Sequence, residues 1–149
     1  MVGSRGRAAA WGGYYGAGPA DVMVALPSTL TGSIGGFGGK MVVRELLDRV
    51  GLTTGSVSHG ARSLMFSSRR GFSDEERERL AATIAAIYDD FVAKVAQGRG
   101  RPVDEIESIA RGRVWTGSDA LDNGLVDVLG GLRDAVQIAR SLAGLRADA

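Results

Sequence analysis

The chain has no cysteine, which excludes disulfides, thiolate metal sites and cysteine nucleophiles together. Histidine is nearly absent as well: His59 is the only one, and no Asp or Glu lies near it in sequence to orient it. Lysine occurs twice, at Lys40 and Lys94, so chemistry that needs a lysine base has two candidates. A surplus of one charge is also lacking. The net charge of +1 over 149 residues creates no field that would recruit nucleic acid or an anionic membrane. No apolar run approaches the roughly 18 residues of a membrane span. The opening MVGSRGRAAAWGGYYGAGPA sets Arg5 and Arg7 before small residues as a signal peptide would, but its apolar core is mostly alanine and glycine, too weak for that role. The chain therefore reads as soluble, without a targeting signal, and the sequence leaves its compartment open. Metal ligands cluster nowhere, and no cofactor is implied.

Present in their place are 23 glycines and 44% hydrophobic residues, enough for one domain over residues 1–149 with a sizeable core. ADVMVALP (20–27) reads as a buried strand stopped by Pro27. STLTGSIGGFGG reads as a loop, and KMVVRELLDRVG (40–51) as a helix with Met41, Val42, Leu46, Leu47 and Val50 at helical spacing. TTGSVSHGARSLMFSSRRG has no clean period and reads as a short strand with an exposed loop. At Ser73 the SDEE capping box opens a long helix, with an apolar stripe through Leu80, Ile84, Ile87, Tyr88, Phe91 and Val95. PVDEIESIARG (102–112) predicts a shorter helix, RVWTG an extended piece, SDALDNG a helix from Ser118 to the Gly124 stop, LVDVLGG another extended piece, and LRDAVQIARSLAG a closing amphipathic helix. Strands alternating with helices imply an α/β layer structure.

Three motifs fail on detail. GSIGGFGGK has the glycines of a phosphate loop, but Ile34 stands where the first glycine is required and Met41 where a hydroxyl is required. GRGRP (98–102) resembles a minor-groove hook, yet it joins two amphipathic helices and reads as a solvated connector. His59 reads as a surface histidine, and Arg69 and Arg70 as lining an exposed loop.

The stretch AAAWGGYYGAG (8–18) is anomalous, because a large indole sits among residues so small that backbone must approach something closely there. Together with STLTGSIGGFGGKMVVRELLDRVGL, MFSSRRGFSDEERERL and IARGRVWTGSDALDNGLVDVLGGL, it resembles the signal peptide peptidase SppA family, also called protease IV. The order and spacing agree from about Ser4 to the last helix. The resemblance implies a ClpP/crotonase-type α/β fold, here partial, because the family's early strands have no counterpart before Met1. A sheet edge and apolar surface left uncovered would then favour self-association.

In that family the segment resembling AAAWGGYY carries a serine nucleophile activated by a lysine. By resemblance, Trp11 occupies the nucleophile's position, Ser63 the lysine position of single-domain members, and Ser33 the position of the hydroxyl that orients the lysine. Gly12 and Gly13 lie where oxyanion and substrate backbone would be held. Indole has one N–H donor and no nucleophilic or basic group, so the resemblance implies a peptidase domain inactive in this chain, whose family acts on peptides. The implied partner is a second copy of the chain or a separate N-terminal half supplying the lysine. Two other readings stay open: an active serine peptidase using Ser33 or Ser63 with Lys40 or an external lysine, and a non-enzymatic assembly or binding module.

Overall fold

The computed structural model describes residues 1–145, and the end of the domain expected over 1–149 lies outside them. The elements in chain order are β1 (Val2–Arg5), β2 (Ala8–Ala10), α1 (Gly12–Ala17), β3 (Val22–Ala25), β4 (Leu30–Gly32), α2 (Arg44–Arg49), α3 (Asp74–Arg99), α4 (Val103–Ile109), β5 (Val114–Trp115), α5 (Gly117–Asp122), β6 (Val128–Leu129) and α6 (Leu132–Leu142). The class is α/β. The chain divides into two compact units, one made of Met1–Gly36 with the segment from Ile87 onward, the other of Phe37–Ala86.

The first unit holds both sheets. In one, β1 and β6 flank β3, all parallel, with Val2 opposite Val22 and Val24 opposite Val128. In the other, β4 lies between β2, parallel to it, and β5, antiparallel. Parallel neighbours need a crossover between them, which α1 provides from β1 to β3. Among the described residues β1 has a strand neighbour on one side only. The core gathers Tyr14, Met23, Ile34, Phe91, Val95, Ile106 and Leu125, all buried. Tyr14 donates its hydroxyl to the Leu125 carbonyl at 2.9 Å, meeting the need of a buried phenol for a partner. Glycine sets the closest approach of α3 to the end of α1: a Cβ on Gly98 would lie 2.2 Å from the Gly18 carbonyl oxygen.

The second unit, 37–86, contains α2 and the first half of α3. The capping box read at Ser73 is formed: Glu76 N–H donates to Ser73 Oγ at 3.3 Å, and Ser73 N–H to Glu76 Oε2 at 2.9 Å. Arg70 also forks onto the Glu76 carboxylate with two bonds of 2.6 Å. The Arg70 guanidinium above all, and then the Ser73 N–H, hold the Glu76 carboxyl down to about 2 from the ordinary 4.5. A depressed carboxyl stabilises the fold above its unfolded value and loses that contribution as pH falls toward the folded value. The difference in urea midpoint between the native chain and Glu76→Gln should therefore be full at pH 6 and shrink steadily as pH falls from 4.5 to 2; a difference independent of pH would contradict the assignment.

Several expectations need correction. The helix expected over 40–51 covers only Arg44–Arg49, because Val43 N–H is bonded to the Ser68 carbonyl and Lys40 Nζ to the Met65 carbonyl, at 2.8 and 2.7 Å. Of its apolar positions, Met41, Val42, Leu46 and Val50 are exposed. The strand expected between Thr53 and Gly71 is absent; the segment forms turns from Ala61 to Phe66, since its Ser and Gly density leaves no strand face to bury. The loop expected at 28–39 contains β4, whose residues are ordered by pairing with β2 rather than by propensity. Ile87, expected on the buried stripe of α3, is exposed. The helix expected from Ser118 starts at Gly117, capped by Thr116, whose side chain accepts from Asp119 N–H at 3.1 Å.

Candidate active site

The three alanines of β2 pair with β4, and the chain must then turn sharply to enter α1. That turn is made at Trp11, with φ 45° and ψ −108°. Its N–H donates to the Gly32 carbonyl at 3.1 Å, and its carbonyl accepts from Tyr15 N–H at 2.8 Å, so both ends of the residue are held. A bulky residue at positive φ is an outlier, costing about 1–3 kcal/mol that the surroundings must offset. A strained strand-to-helix turn that lifts one side chain out of the sheet is the geometry of a nucleophile elbow. Here the lifted side chain is an indole, 53% exposed. Gly12 and Gly13 follow it at the head of α1, where no side chain caps the helix. A Cβ on Gly12 would meet nothing within 4 Å, and one on Gly13 would only touch Ala9 at 3.6 Å. Packing alone does not demand glycine at either place.

The pairing of Ala10 with Gly32 brings Trp11 and Ser33 one step beyond the same ends of two parallel strands. Ser33 has φ 50°, and its N–H donates to the Arg113 carbonyl at 2.8 Å. Its Oγ has no hydrogen-bond partner among the described residues. Gly32, at φ 78°, leaves room for Trp115, whose Cδ1 would lie 2.8 Å from a Cβ there. The indole N–H of Trp115 donates to the Ile109 carbonyl at 3.0 Å.

Arg5, which in sequence is only a charge ahead of a run of small residues, carries that charge into the interior. It is 3% exposed; Nη1 donates to the Ala9 carbonyl and to Thr31 Oγ1, both at 3.1 Å, and the guanidinium lies 4.2 Å over the Tyr14 ring. No carboxylate pairs with it among the described residues, and its Nε is buried without a partner. Burial, the leading cause, lowers its pKa from the ordinary 12.5. An arginine within a short run of otherwise small residues was the available signal.

The remaining candidates fall as follows. Ser63 belongs to the 37–86 unit, where its Oγ donates to the Gly60 carbonyl at 2.9 Å. His59 is exposed in the same unit. Lys40 Nζ sits 4.3 Å over the Phe72 ring besides its bond to Met65. Lys94, in the other unit, donates to Asp90 Oδ2 at 2.9 Å and contacts the Tyr15 hydroxyl. Asp90 first and Tyr15 second raise the Lys94 pKa above 10.5, so this amine stays protonated and cannot take a proton. The Asp90 and Lys94 spacing on α3 was legible as an i, i+4 pair. Among the described residues no group of His, Asp and Glu could hold a metal ion, and no helix is long and apolar enough to cross a membrane.

Comparison with known proteins agrees with the sequence resemblance. The chain is 42% identical over 146 residues to Protease 4 of Salmonella typhi, covering 98% of this chain and 24% of that protein. It is 38% identical over 146 residues to the chloroplastic serine protease SPPA of Arabidopsis thaliana, covering 97% of this chain and 22% of that protein. It thus spans about a quarter of the length of these two relatives. Among solved structures, a ClpP1 mutant from Listeria monocytogenes overlaps 91% of this chain and 58% of its own, with TM-score 0.48 and 17% identity. The sequence pattern of peptidase family S49 matches residues 2–146, and the chain belongs to that family.

Proposed function

We propose that this chain is an SppA-type peptidase domain that has lost the ability to form an acyl-enzyme. The observation that carries the reading is the turn at Trp11, which keeps a strained, exposed elbow while presenting an indole. Acyl transfer needs a hydroxyl or thiol nucleophile and a base that can accept its proton. Trp11 offers neither, Lys94 is held as a cation by Asp90, and Ser63 stands at the lysine position of the family's single-domain members. Ser33 keeps the orienting hydroxyl of the family without an amine to orient. What survives is the cradle: the N–H groups of Gly12 and Gly13 remain uncapped by side chains, suited to a peptide carbonyl, so peptide binding without cleavage is the retained capacity. The base would have to come from a second polypeptide or another copy of this chain, and the exposed Phe37, Met41, Leu46 and Phe66 favour such association.

Incubation of the unmodified chain with a serine-reactive fluorophosphonate should give no covalent adduct by mass spectrometry, and peptide hydrolysis no faster than buffer. An adduct on Ser33 or Ser63 would establish the active alternative in its place.

A further inference from the structure

The 37–86 unit contains a cleft of about 390 Å³, inside the roughly 300–1,000 Å³ range of small-ligand sites. Its wall includes Arg44, Asp48, Thr54, Ser67, Arg69 and Arg70. Two of the three guanidiniums already face carboxylates. Arg70 is forked on Glu76, and Arg44 Nε is 3.7 Å from Asp48 Oδ2. The third is different: Arg69, half-buried, uses its main-chain N–H on Ser67 Oγ at 3.3 Å, while its guanidinium has no hydrogen bond or ion pair among the described residues. The cleft wall thus carries three cations and one carboxylate, Asp48, while Glu76 outside the wall neutralises Arg70; the unbalanced charge is that of Arg69, with the hydroxyls of Thr54 and Ser67 on the same wall.

We propose that this cleft binds a small tetrahedral oxyanion of the phosphate class. A guanidinium presents parallel donors in a plane that match two oxygens of an oxyanion. A planar carboxylate would be used up on that fork. A phosphate has further oxygens left for the hydroxyls of Thr54 and Ser67, so the donor set of the cleft fits the tetrahedral ion better. The ligand is either free phosphate or the end of a phosphate monoester; both present the same group.

Inorganic phosphate is titrated into the full chain at low ionic strength by calorimetry, with acetate at equal ionic strength as the planar comparison and phenyl phosphate as the monoester. Saturable phosphate binding in the millimolar range or tighter is expected. Arg69→Gln should weaken it by about tenfold or more, the loss of one charge-assisted pair of bonds. Because the Arg69 side chain holds no other residue, the unliganded thermal midpoint of Arg69→Gln should equal that of the native chain, which separates lost binding from lost folding. Phenyl phosphate binding as tightly as phosphate would assign the cleft to monoesters, and its exclusion would assign it to the free ion; either supports the proposal. No saturable binding, binding unchanged in Arg69→Gln, or acetate bound as tightly as phosphate would overturn it.

Discussion

Replacing Gly117 by alanine is expected to lower the thermal midpoint of the chain by about 10 °C, a loss of about 3 kcal/mol at about 2–4 °C per kcal/mol for a chain of this size. A Cβ there would lie 2.0 Å from the Leu26 carbonyl oxygen and 3.0 Å from its carbon. Both are backbone atoms, so no rotamer change can relieve the overlap. Gly117 is the first residue of α5, directly after the Thr116 cap, and Ser118 N–H donates to the Pro27 carbonyl at 3.2 Å. The helix start therefore docks on the turn that ends β3, and the added methyl must separate the two. Gly39→Ala is the control, since a Cβ there would meet nothing within 4 Å. Equal midpoints for the two variants by circular dichroism would refute the close approach.

Arg5→Met should act in the opposite direction, stabilising the chain by about 1–4 kcal/mol, as when buried charges give way to apolar side chains of similar volume. Arg5 is 3% exposed, and among the described residues no carboxylate pairs with it and its Nε has no partner. Its folded pKa is lowered from 12.5, so the folded state disfavours the charged form relative to the unfolded chain. That penalty applies throughout neutral pH, where the unfolded arginine is charged. Methionine leaves nothing stranded: Thr31 Oγ1 donates to the Ala9 carbonyl at 3.0 Å, and the Tyr14 hydroxyl is bonded to Leu125. The unbranched side chain also adapts to the space beside Met23 and Tyr14. Urea unfolding at pH 7 reads the gain as a higher midpoint; a lower midpoint would mean that the hydrogen bonds and the ring contact of Arg5 outweigh its desolvation.

Local signals were legible where one segment determines its own structure. The Ser73 capping box and the buried Phe91 and Val95 of α3 are set by spacing along a single helix, as is the short α4 after Pro102. Strands fixed by partners were not legible. β2 is three alanines and β4 is three residues ending in glycine, too short and too weakly patterned to be read as strands, and each is ordered by pairing with the other. The same limit applied to 40–51: helical spacing was visible, but the bonds that take Lys40 and Val43 out of the helix come from Met65 and Ser68. At the candidate site, the misfit of Trp11 among small residues could be seen from composition, whereas its φ of 45° and the nearness of Ser33 follow from the strand register. Arg5 stands out in sequence among its small neighbours, but nothing in the order of residues shows that its charge is buried without a counter-ion.

On the proposed reading the elbow is intact, and two lesions disable it: the indole at residue 11 and the lack of a lysine base within the chain. The most direct measurement is fluorophosphonate labelling of the native chain and of Trp11→Ser, each alone and with a separately supplied polypeptide carrying the family's lysine. An adduct on residue 11 is expected only for Trp11→Ser with that polypeptide present. An adduct on the native chain in any of these mixtures would contradict that reading.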